Sequence, residues 1–343
     1  MPRWKSYKYG EWAAAALNRA VANRPEVMAI DTETTGLGWF DTAFCVTLTW
    51  PDRAAGGLVS VYIDLESDES GTRREIVKQI ISACPRWVFH NAKFDLQKLA
   101  MEGCLPDDWR EKHTIEDTAT IYALINENDS KRLKHLAQKI LGESTNEDKV
   151  LAKVRRKLKL KKDDGYHLLP RNVVAPYAMK DTEYTLRLYQ VLRPILTAKD
   201  LVDLYDFEIG LELDLLGIEG NGIGLALPYL TKATSEYGVK VMKGQAALVK
   251  LTGKEGFNAN SPKQITEAFA ERGIELESTD KEHLSALSDP LAAALLSYRS
   301  DKKLHSTYLL AMLAEQRDGV IHPNFNLTTP RTGRMSSGQA TNN

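Results

Sequence analysis

Three acidic segments occur in a fixed order along the chain, and each lies where a predicted strand or helix begins or ends. They are Asp31-Thr32-Glu33, residues 91–95 and residues 177–181. Together they supply four carboxylates and one phenol. Carboxylate oxygens are the ligands that Mg2+ and Mn2+ prefer. Because two such ions can hold both the attacking and the leaving oxygen of a phosphodiester displacement, the pattern favours nuclease chemistry.

The first two segments follow predicted strands. Residues 26–30 form a short apolar run that is typical of a buried strand, which places Asp31 at the strand's end. Residues 86–90 predict a second strand. Residues 91–100 continue with helical spacing, so Asp95 is expected in the first turns of a helix.

The third segment is predicted to present two side chains on one face of a helix. Pro176 is typical of a helix's first turn. Tyr177 and Asp181 are four residues apart, so both side chains point to the same side. A phenol and a carboxylate can therefore serve one site.

Each segment also has an explanation that involves no chemistry. Asp31 and Glu33 are compatible with a solvated turn, and Asp95 with a surface acid opposite Lys98. Tyr177 is compatible with a half-buried core position, the commoner place for a tyrosine. These explanations account less well for acids at a strand end, at a helix start and in an i, i+4 helix pair all at once.

The order Asp-x-Glu, Asn-x-x-x-Asp and Tyr-x-x-x-Asp resembles the 3′-5′ exonucleases of the DnaQ-like superfamily, in the subgroup with tyrosine in its last motif. Residues 117–120 and 133–137 resemble the helices between the second and third motifs of that family. The resemblance implies an α/β fold of the ribonuclease H-like type, a mixed sheet flanked by helices, over residues 1–195.

The resemblance also implies a role for each acidic residue around two divalent ions, Mg2+ or Mn2+. Asp31 would bridge both ions. Glu33 and Asp181 would complete the tightly held one, while Asp95 would support the other through water. Tyr177 would orient the attacking water.

Three further positions match residues that lie beside the terminal nucleotide in that family. Leu37 matches the wedge near the terminal base, and Asn91 and Phe94 match neighbours of the nucleotide. His90 lies next to the second segment, but it also extends the predicted strand and has no second ligand nearby in sequence. A packing or hydrogen-bonding role is therefore favoured for it.

The second half of the chain contains four further patterns. Residues 257–264 predict a helix capped by Ser261. Residues 298–308 place several cations and hydroxyls on a long helical pattern, for which a solvated face is the simpler interpretation. Residues 318–319 are Asp-Gly, which predicts a tight turn. Residues 332–337 read Thr-Gly-Arg-Met-Ser-Ser.

In that order, the four patterns resemble the thumb and early palm of family A DNA polymerases, here over residues 196–343. Met335 replaces the leucine of the family's Thr-Gly-Arg-Leu-Ser-Ser motif. Arg334 would approach the primer end in the minor groove. The resemblance implies further contacts with DNA at Asn260, Ser261, Lys303, Ser306 and Thr307.

The resemblance implies that part of the enzyme is missing, because family A polymerases carry their catalytic palm aspartates and fingers helix well beyond the Thr-Gly-Arg motif. A truncated chain, an interrupted gene or one piece of a split enzyme is expected, without polymerisation by itself. Residues 324–343 are expected to be only partly ordered, since the palm strands that would pair with them are absent. The missing polymerase portion or a processivity factor would be a partner.

Composition indicates an ordinary globular protein of about two domains, with 343 residues, 43% hydrophobic and 27% charged. No run approaches the roughly 20 apolar residues of a membrane-spanning helix. The cysteines, Cys45, Cys84 and Cys104, share no metal-binding spacing, which favours a reducing cytoplasm. The resemblance to family A polymerases, which include many phage replicases, implies a phage-encoded protein in the bacterial cytoplasm.

The charge distribution adds a candidate DNA contact. The net charge of −1 is unhelpful for binding phosphates, but residues 153–162 are strongly basic. Either a solvated helix or loop, or a surface that guides single-stranded DNA toward the acids, is compatible with this run.

The coarse prediction of secondary structure is a mixed sheet with helices, followed by a mainly helical region from about residue 174 to 318. Gly220 to Gly224 would separate two long helices. Predicted strands cover residues 27–30, 44–49, 59–63 and 87–89, the first three as a meander. Predicted helices cover residues 75–83, 94–101 and 118–126.

The sequence therefore predicts a proofreading 3′-5′ exonuclease joined to the thumb of a family A DNA polymerase. It would act on single-stranded DNA 3′ ends and contact primer-template duplex. Association with a membrane is not expected. Two alternatives remain open: a free-standing exoribonuclease of the same superfamily, and a DNA-holding module whose acidic site is idle.

Overall fold

The computed structural model describes residues 12–52, 56–144, 147–161, 165–328, 330 and 332–338. The chain divides into two compact units. The first unit contains residues 1–220 together with 323–343, and the second contains residues 221–322. The predicted domain boundary at residue 195 stays a prediction.

The first unit is built on a five-stranded sheet with the order β3-β2-β1-β4-β5. Strands β1 to β3 pair antiparallel, while β4 pairs parallel to both β1 and β5. The strands are β1 Met28–Thr34, β2 Ala43–Asp52, β3 Gly57–Asp64, β4 Arg86–Phe89 and β5 Thr114–Asp117. This mixed sheet and its three-strand meander confirm the predicted fold class.

Nine helices flank this sheet within the described part of the first unit, and a 3-10 turn covers Tyr166–Leu168. They are α1 Trp12–Asn23, α2 Thr72–Ser82, α3 Ala92–Met101, α4 Trp109–Lys112, α5 Thr118–Ile125, α6 Leu133–Leu141, α7 Glu147–Lys157, α8 Arg171–Ala198 and α9 Val202–Asn221. The core forms where the apolar strands pack against these helices, and its largest fully buried side chains include Trp50, Trp87 and Tyr184. Helix α8 packs across β1, β2 and β3.

The start of α8 differs from the prediction. The helix begins at Arg171, so Pro176 lies inside it rather than in its first turn. Because proline has no N–H, the carbonyl of Asn172 cannot receive the usual helical hydrogen bond from residue 176. Packing against the sheet holds the helix together through this position, since Val174 and Ala178 are fully buried on either side of it.

The second unit is mainly helical, as predicted. Its elements are β6 Ile223–Gly224, α10 Leu227–Thr252, α11 Pro262–Ala270, α12 Lys281–Ser285, α13 Pro290–Lys303, a π-helical segment Leu304–Leu309, α14 Leu310–Glu315 and β7 Val320–Ile321. Strands β6 and β7 pair antiparallel. Asp318 and Gly319 both have positive φ angles, 52° and 77°, which confirms the predicted tight turn.

Residues 323–338 return to the first unit and form an antiparallel pair, β8 Asn324–Asn326 with β9 Ser336–Gly338. Phe325 is held by two residues of the first unit: its carbonyl accepts from the Lys93 ammonium and its amide donates to Glu219. Lys93 also forms a buried ion pair with Glu219. The expected partial order of this stretch stays a prediction, because residues 329, 331 and 339–343 lie outside the described residues.

No helix among the described residues is long and apolar enough to cross a membrane. The cysteines at positions 45, 84 and 104 are all buried and form no disulfide.

Candidate active site

Strand β1 carries the first two acids. Asp31 pairs with Thr47 of β2, and Glu33 pairs with Cys45. Because the two acids are two residues apart, their side chains leave the same face of the sheet. Both are half-buried at the end of the central strand.

Helix α3 brings the third acid to β1. Asp95 lies in its first turn and is buried. Its Oδ1 accepts two hydrogen bonds from Thr32, one from the backbone N at 2.9 Å and one from Oγ1 at 2.6 Å. The carboxylate is therefore attached to the strand that carries Asp31 and Glu33, which excludes a solvated surface position for Asp95.

The start of α3 is fixed by Asp117, the last residue of β5. Its carboxylate accepts the backbone N–H groups of Asn91 at 3.2 Å and Ala92 at 2.5 Å. The same side chain caps α5 by accepting from Ala119 and Thr120. One acid thus anchors two helices at the edge where β4 and β5 end.

Helix α8 supplies the tyrosine and the fourth acid. Asp181 is buried and Tyr177 is half-buried, four residues apart as predicted. The helix is joined to the sheet at this level by Thr49, whose hydroxyl lies 2.7 Å from that of Thr182, and by a 3.3 Å hydrogen bond from Thr47 to the carbonyl of Ala178.

The electrostatics show that the four predicted acids lie near one another. Burial raises the pKa of Asp31 well above its usual range, and the charges of Asp95, Glu33 and Asp181 raise it further. Burial likewise raises the pKa of Glu33 to about 8, with Asp181 and Asp95 adding to the rise.

The pKa of the third acid is also raised, by burial and by the charge of Asp117. Burial raises the pKa of Asp95 to about 7, although the two hydrogen bonds from Thr32 oppose the rise. The charges of Glu33, Asp95 and Asp181 all act on Asp31, so the structure brings these acids near one another from three separate segments, while their roles stay predictions.

A lysine that sequence reasoning did not identify lies among these acids. Lys134 of α6 forms an ion pair with Asp181. Its Nζ lies 4.3 Å from the centre of the Tyr177 ring and 5.3 Å from that of Tyr184. Its charge also lowers the pKa of Asp31 and of Glu33, which places the ammonium within reach of three of the four acids.

The donor set fits hard divalent ions by its chemistry. A nearby cation stabilises the ionised form of carboxylates whose pKa values are raised. Carboxylate oxygens are also the ligands that Mg2+ and Mn2+ prefer. As the side chains stand, however, no three His, Cys, Asp or Glu residues in the described part of the chain are arranged to hold a metal ion. The ammonium of Lys134 is the cation that lies beside Asp181.

The residues predicted beside the terminal nucleotide differ in conformation and burial. Asn91 adopts a left-handed conformation with φ of 84° and precedes α3, while Phe94 and Leu37 are half-buried. Their contacts with a nucleotide stay predictions. His90 is buried, with Nδ1 2.8 Å from the Thr118 hydroxyl and Nε2 2.8 Å from the Lys131 carbonyl, in agreement with a hydrogen-bonding role.

All but one of the residues predicted to contact the DNA duplex lie in the second unit. Ser261 caps α11 by accepting from the backbone N of Gln264, as predicted, and Asn260 directly precedes it. Lys303 ends α13, and Ser306 and Thr307 lie in the π-helical segment. Arg334, in the first unit, is exposed. Their contacts with DNA stay predictions.

The basic run 153–162 begins on helix α7 and is described as far as residue 161. The apolar side of α7 packs through Leu151 and Val154 on a cluster that includes Tyr166 and Tyr177. The guanidinium of Arg155 lies 5.7 Å from the centre of the Tyr166 ring. Residues 153–157 of this run are helical, and its guiding role stays a prediction.

Comparisons with known proteins identify a family for each of two stretches of the chain. A family model described as 3′-5′ exonuclease matches residues 9–197, and one described as DNA polymerase family A matches residues 227–341. The DNA polymerase DpoZ of Vibrio phage phiVC8 is 28% identical over 353 residues, covering 92% of this chain and 53% of that protein. The DNA polymerase of Escherichia phage T5 is 30% identical over 281 residues, covering 73% and 33%.

A solved structure has the same fold. The POL domain of Pol1 from M. smegmatis, in complex with DNA primer-template and dNTP, aligns with a TM-score of 0.69 and 22% identity. The alignment covers 98% of this chain and 54% of that one. This chain thus spans about half the length of that structure and of the DpoZ polymerase. The chain belongs to the family A DNA polymerases, of which it carries the 3′-5′ exonuclease region and part of the polymerase region.

Proposed function

We propose that this chain is the proofreading part of a phage-type DNA polymerase, a metal-dependent 3′-5′ exonuclease that releases nucleoside monophosphates from DNA 3′ ends. One observation carries the proposal. The carboxylates of Asp95 on α3 and Asp181 on α8 lie close enough to the acids of β1 to raise the pKa values of both Asp31 and Glu33. A fold that gathers buried acids in this way needs a cation to stabilise them in their charged form.

Exonuclease and polymerase regions of this family generally use divalent metal ions. We propose Asp31, Glu33 and Asp181 as the ligands of one ion, with Asp31 shared by a second ion that Asp95 supports. When bound, two such ions neutralise the charge that develops on the attacking and leaving oxygens.

The chain's own residues would position the reacting groups. Thr32 holds the Asp95 carboxylate through two hydrogen bonds, and the packing of α8 on the sheet fixes the direction of Asp181. Tyr177 lies one helical turn before Asp181 on the same face, where its hydroxyl can orient the attacking water. Leu37, Asn91 and Phe94 would hold the terminal nucleotide against these groups.

The proposed substrate is a single-stranded DNA 3′ end, delivered from primer-template duplex. Support comes from the relatives, which are named as DNA polymerases, and from the solved structure of similar fold that contains DNA. Asn260, Ser261, Lys303, Ser306, Thr307 and Arg334 are the proposed contacts with the duplex. A processivity partner and a location in the bacterial cytoplasm stay predictions.

The test is the shortening of a 5′-labelled single-stranded DNA, with Mg2+ and with EDTA. We expect stepwise shortening only with Mg2+. Asp31→Ala should lower the rate by about 10³-fold or more, equivalent to ~4 kcal/mol of transition-state stabilisation. Asp214→Ala removes an exposed aspartate of α9 that pairs with Arg110 of α4, and it should leave the rate unchanged.

The same assay separates the alternatives. An RNA strand of the same sequence that is shortened much faster than DNA would favour the exoribonuclease. DNA that is bound but never shortened would favour the idle module. Adding dNTPs and a primed template tests the further prediction that these 343 residues do not extend a primer.

A further inference from the structure

We propose that Lys134 is a built-in competitor of the metal ions: its ammonium pairs with Asp181 when no divalent ion is bound, and this pairing sets the ion concentration at which the site loads. The inference rests on the proposed function, because it takes Asp181 as an ion ligand.

The position of the ammonium carries the argument. Lys134 projects from α6, which lies outside the three segments that supply the acids, and only 19% of its side chain is exposed. It pairs with Asp181, whose side chain is 11% exposed, and lies over the ring of Tyr177. A positive charge therefore pairs directly with one acid of the cluster and acts on Asp31 and Glu33 as well.

Two other lysines near the site form ion pairs with acids outside the cluster. Lys139, also on α6, pairs with Asp129 at 2.6 Å, and Lys180 of α8 pairs with Glu183 at 2.9 Å. Neither of those acids belongs to the predicted ligands. Asp181, the acidic partner of Lys134, is by contrast one of the proposed ion ligands.

Competition follows from the charges. A divalent ion that binds Asp181 must displace the ammonium or tolerate it nearby, and a unit charge a few ångströms away opposes a doubly charged ion even with strong screening. Removing the ammonium should therefore tighten ion binding. It should also leave the four carboxylates more repulsive when no ion is present.

The experiment is calorimetric titration of Mn2+ and of Mg2+ into the full 343-residue chain in the absence of DNA. We expect Lys134→Met to lower the Kd of the tighter ion by at least about tenfold. Lys139→Met removes a lysine of the same helix that pairs outside the cluster, and should leave the Kd unchanged. Lys134→Arg keeps the charge and should stay near the wild-type value.

A stability measurement distinguishes competition from misfolding. Lys134→Met should unfold at lower urea concentration than the wild type in EDTA, but at a similar concentration in saturating Mg2+. An unchanged or weaker ion affinity in folded Lys134→Met would overturn the proposal, as would equal tightening by Lys134→Arg. If the ion affinities change as expected while DNA is not shortened, the exonuclease assignment fails and the competition stands.

Discussion

Asp95 depends on one threonine for its charge. Burial raises the pKa of this carboxyl to about 7, and the hydrogen bonds from the amide and the hydroxyl of Thr32 are the interactions that oppose the rise. A carboxylate must be ionised to support a cation. By lowering the pKa of Asp95, Thr32 therefore favours the charged form that an ion needs. Thr32 is buried and lies between Asp31 and Glu33 in the sequence.

Thr32→Val should shift the pH dependence of cleavage to higher pH. Valine keeps the branched shape but removes the 2.6 Å hydroxyl bond, so the pKa of Asp95 rises and a higher pH is needed to ionise it. The measurement is the rate of DNA shortening from pH 6 to 9 at saturating Mg2+. Thr49→Val, which removes a buried hydroxyl bonded to Ser60 and Thr182, is the control and should lower stability without moving the profile.

At the scale of elements, the site depends on how α3 begins. Asp117 accepts amides at the start of both α3 and α5, so one carboxylate satisfies donors of two helices that would otherwise lack partners. Because Asp95 lies in the first turn of α3, any loosening of that helix start moves an acid of the cluster.

Asp117→Ala should destabilise the first unit by about 2–3 kcal/mol, roughly the sum of two helix caps, and should lower the cleavage rate. Urea unfolding followed by tryptophan fluorescence measures the loss, because all six tryptophans lie within the first 109 residues. Asp280→Ala removes the cap of α12 alone, in the second unit. A similar loss of cleavage in that control would show that the effect is not specific to α3.

The elements were predictable where one local signal dominates. The apolar runs of β1 to β4 and the break between α9 and α10 follow from periodicity and glycine. Strand β5 was missed because two of its four residues, Glu116 and Asp117, are acids that only pairing with β4 makes buried. An Asp directly before a threonine and a helical run is a cap signal that could have identified Asp117.

The acids of the site were predictable because their motifs lie at element ends, but their neighbours were not. Lys134 lies on an amphipathic helix where a lysine normally faces solvent. Its ion pair with Asp181 joins residues 47 positions apart, a contact that only the packing of α6 against α8 creates. Thr32 was visible in sequence, yet nothing local indicated that its hydroxyl binds Asp95.

At the scale of the whole molecule, residues 323–338, which belong to the first unit, add contacts that the exonuclease motifs do not require. Lys93, two residues before Asp95, pairs with Glu219 and binds the carbonyl of Phe325, and Lys131 binds the carbonyl of Thr328. The strand that follows the second unit is thus attached to the helix that carries an acid of the site.

The folded first unit should lose stability as pH rises when no divalent ion is present. Glu33 has a folded pKa of about 8 against an ordinary value of 4.5, so between these values the folded state holds a proton that the unfolded state has released. Unfolding then releases that proton, and the free energy of unfolding falls with pH by up to about 1.4 kcal/mol per pH unit for each such group. This contribution is complete below pH 4.5 and is lost as pH rises through 8.

Urea unfolding in EDTA and in Mg2+ from pH 5 to 8.5, followed by tryptophan fluorescence, tests this sign and its cause. Mg2+ should reduce the loss, because ion binding favours the folded state in which the clustered carboxylates are charged. Glu33→Gln should flatten the EDTA curve. Glu212 is the control: burial also raises its pKa to about 8, but it accepts from Thr120 and is not one of the four acids. Its share of the slope, removed by Glu212→Gln, should therefore persist in Mg2+. A slope that Mg2+ leaves unchanged in the wild type would show that the clustered acids do not take up the ion.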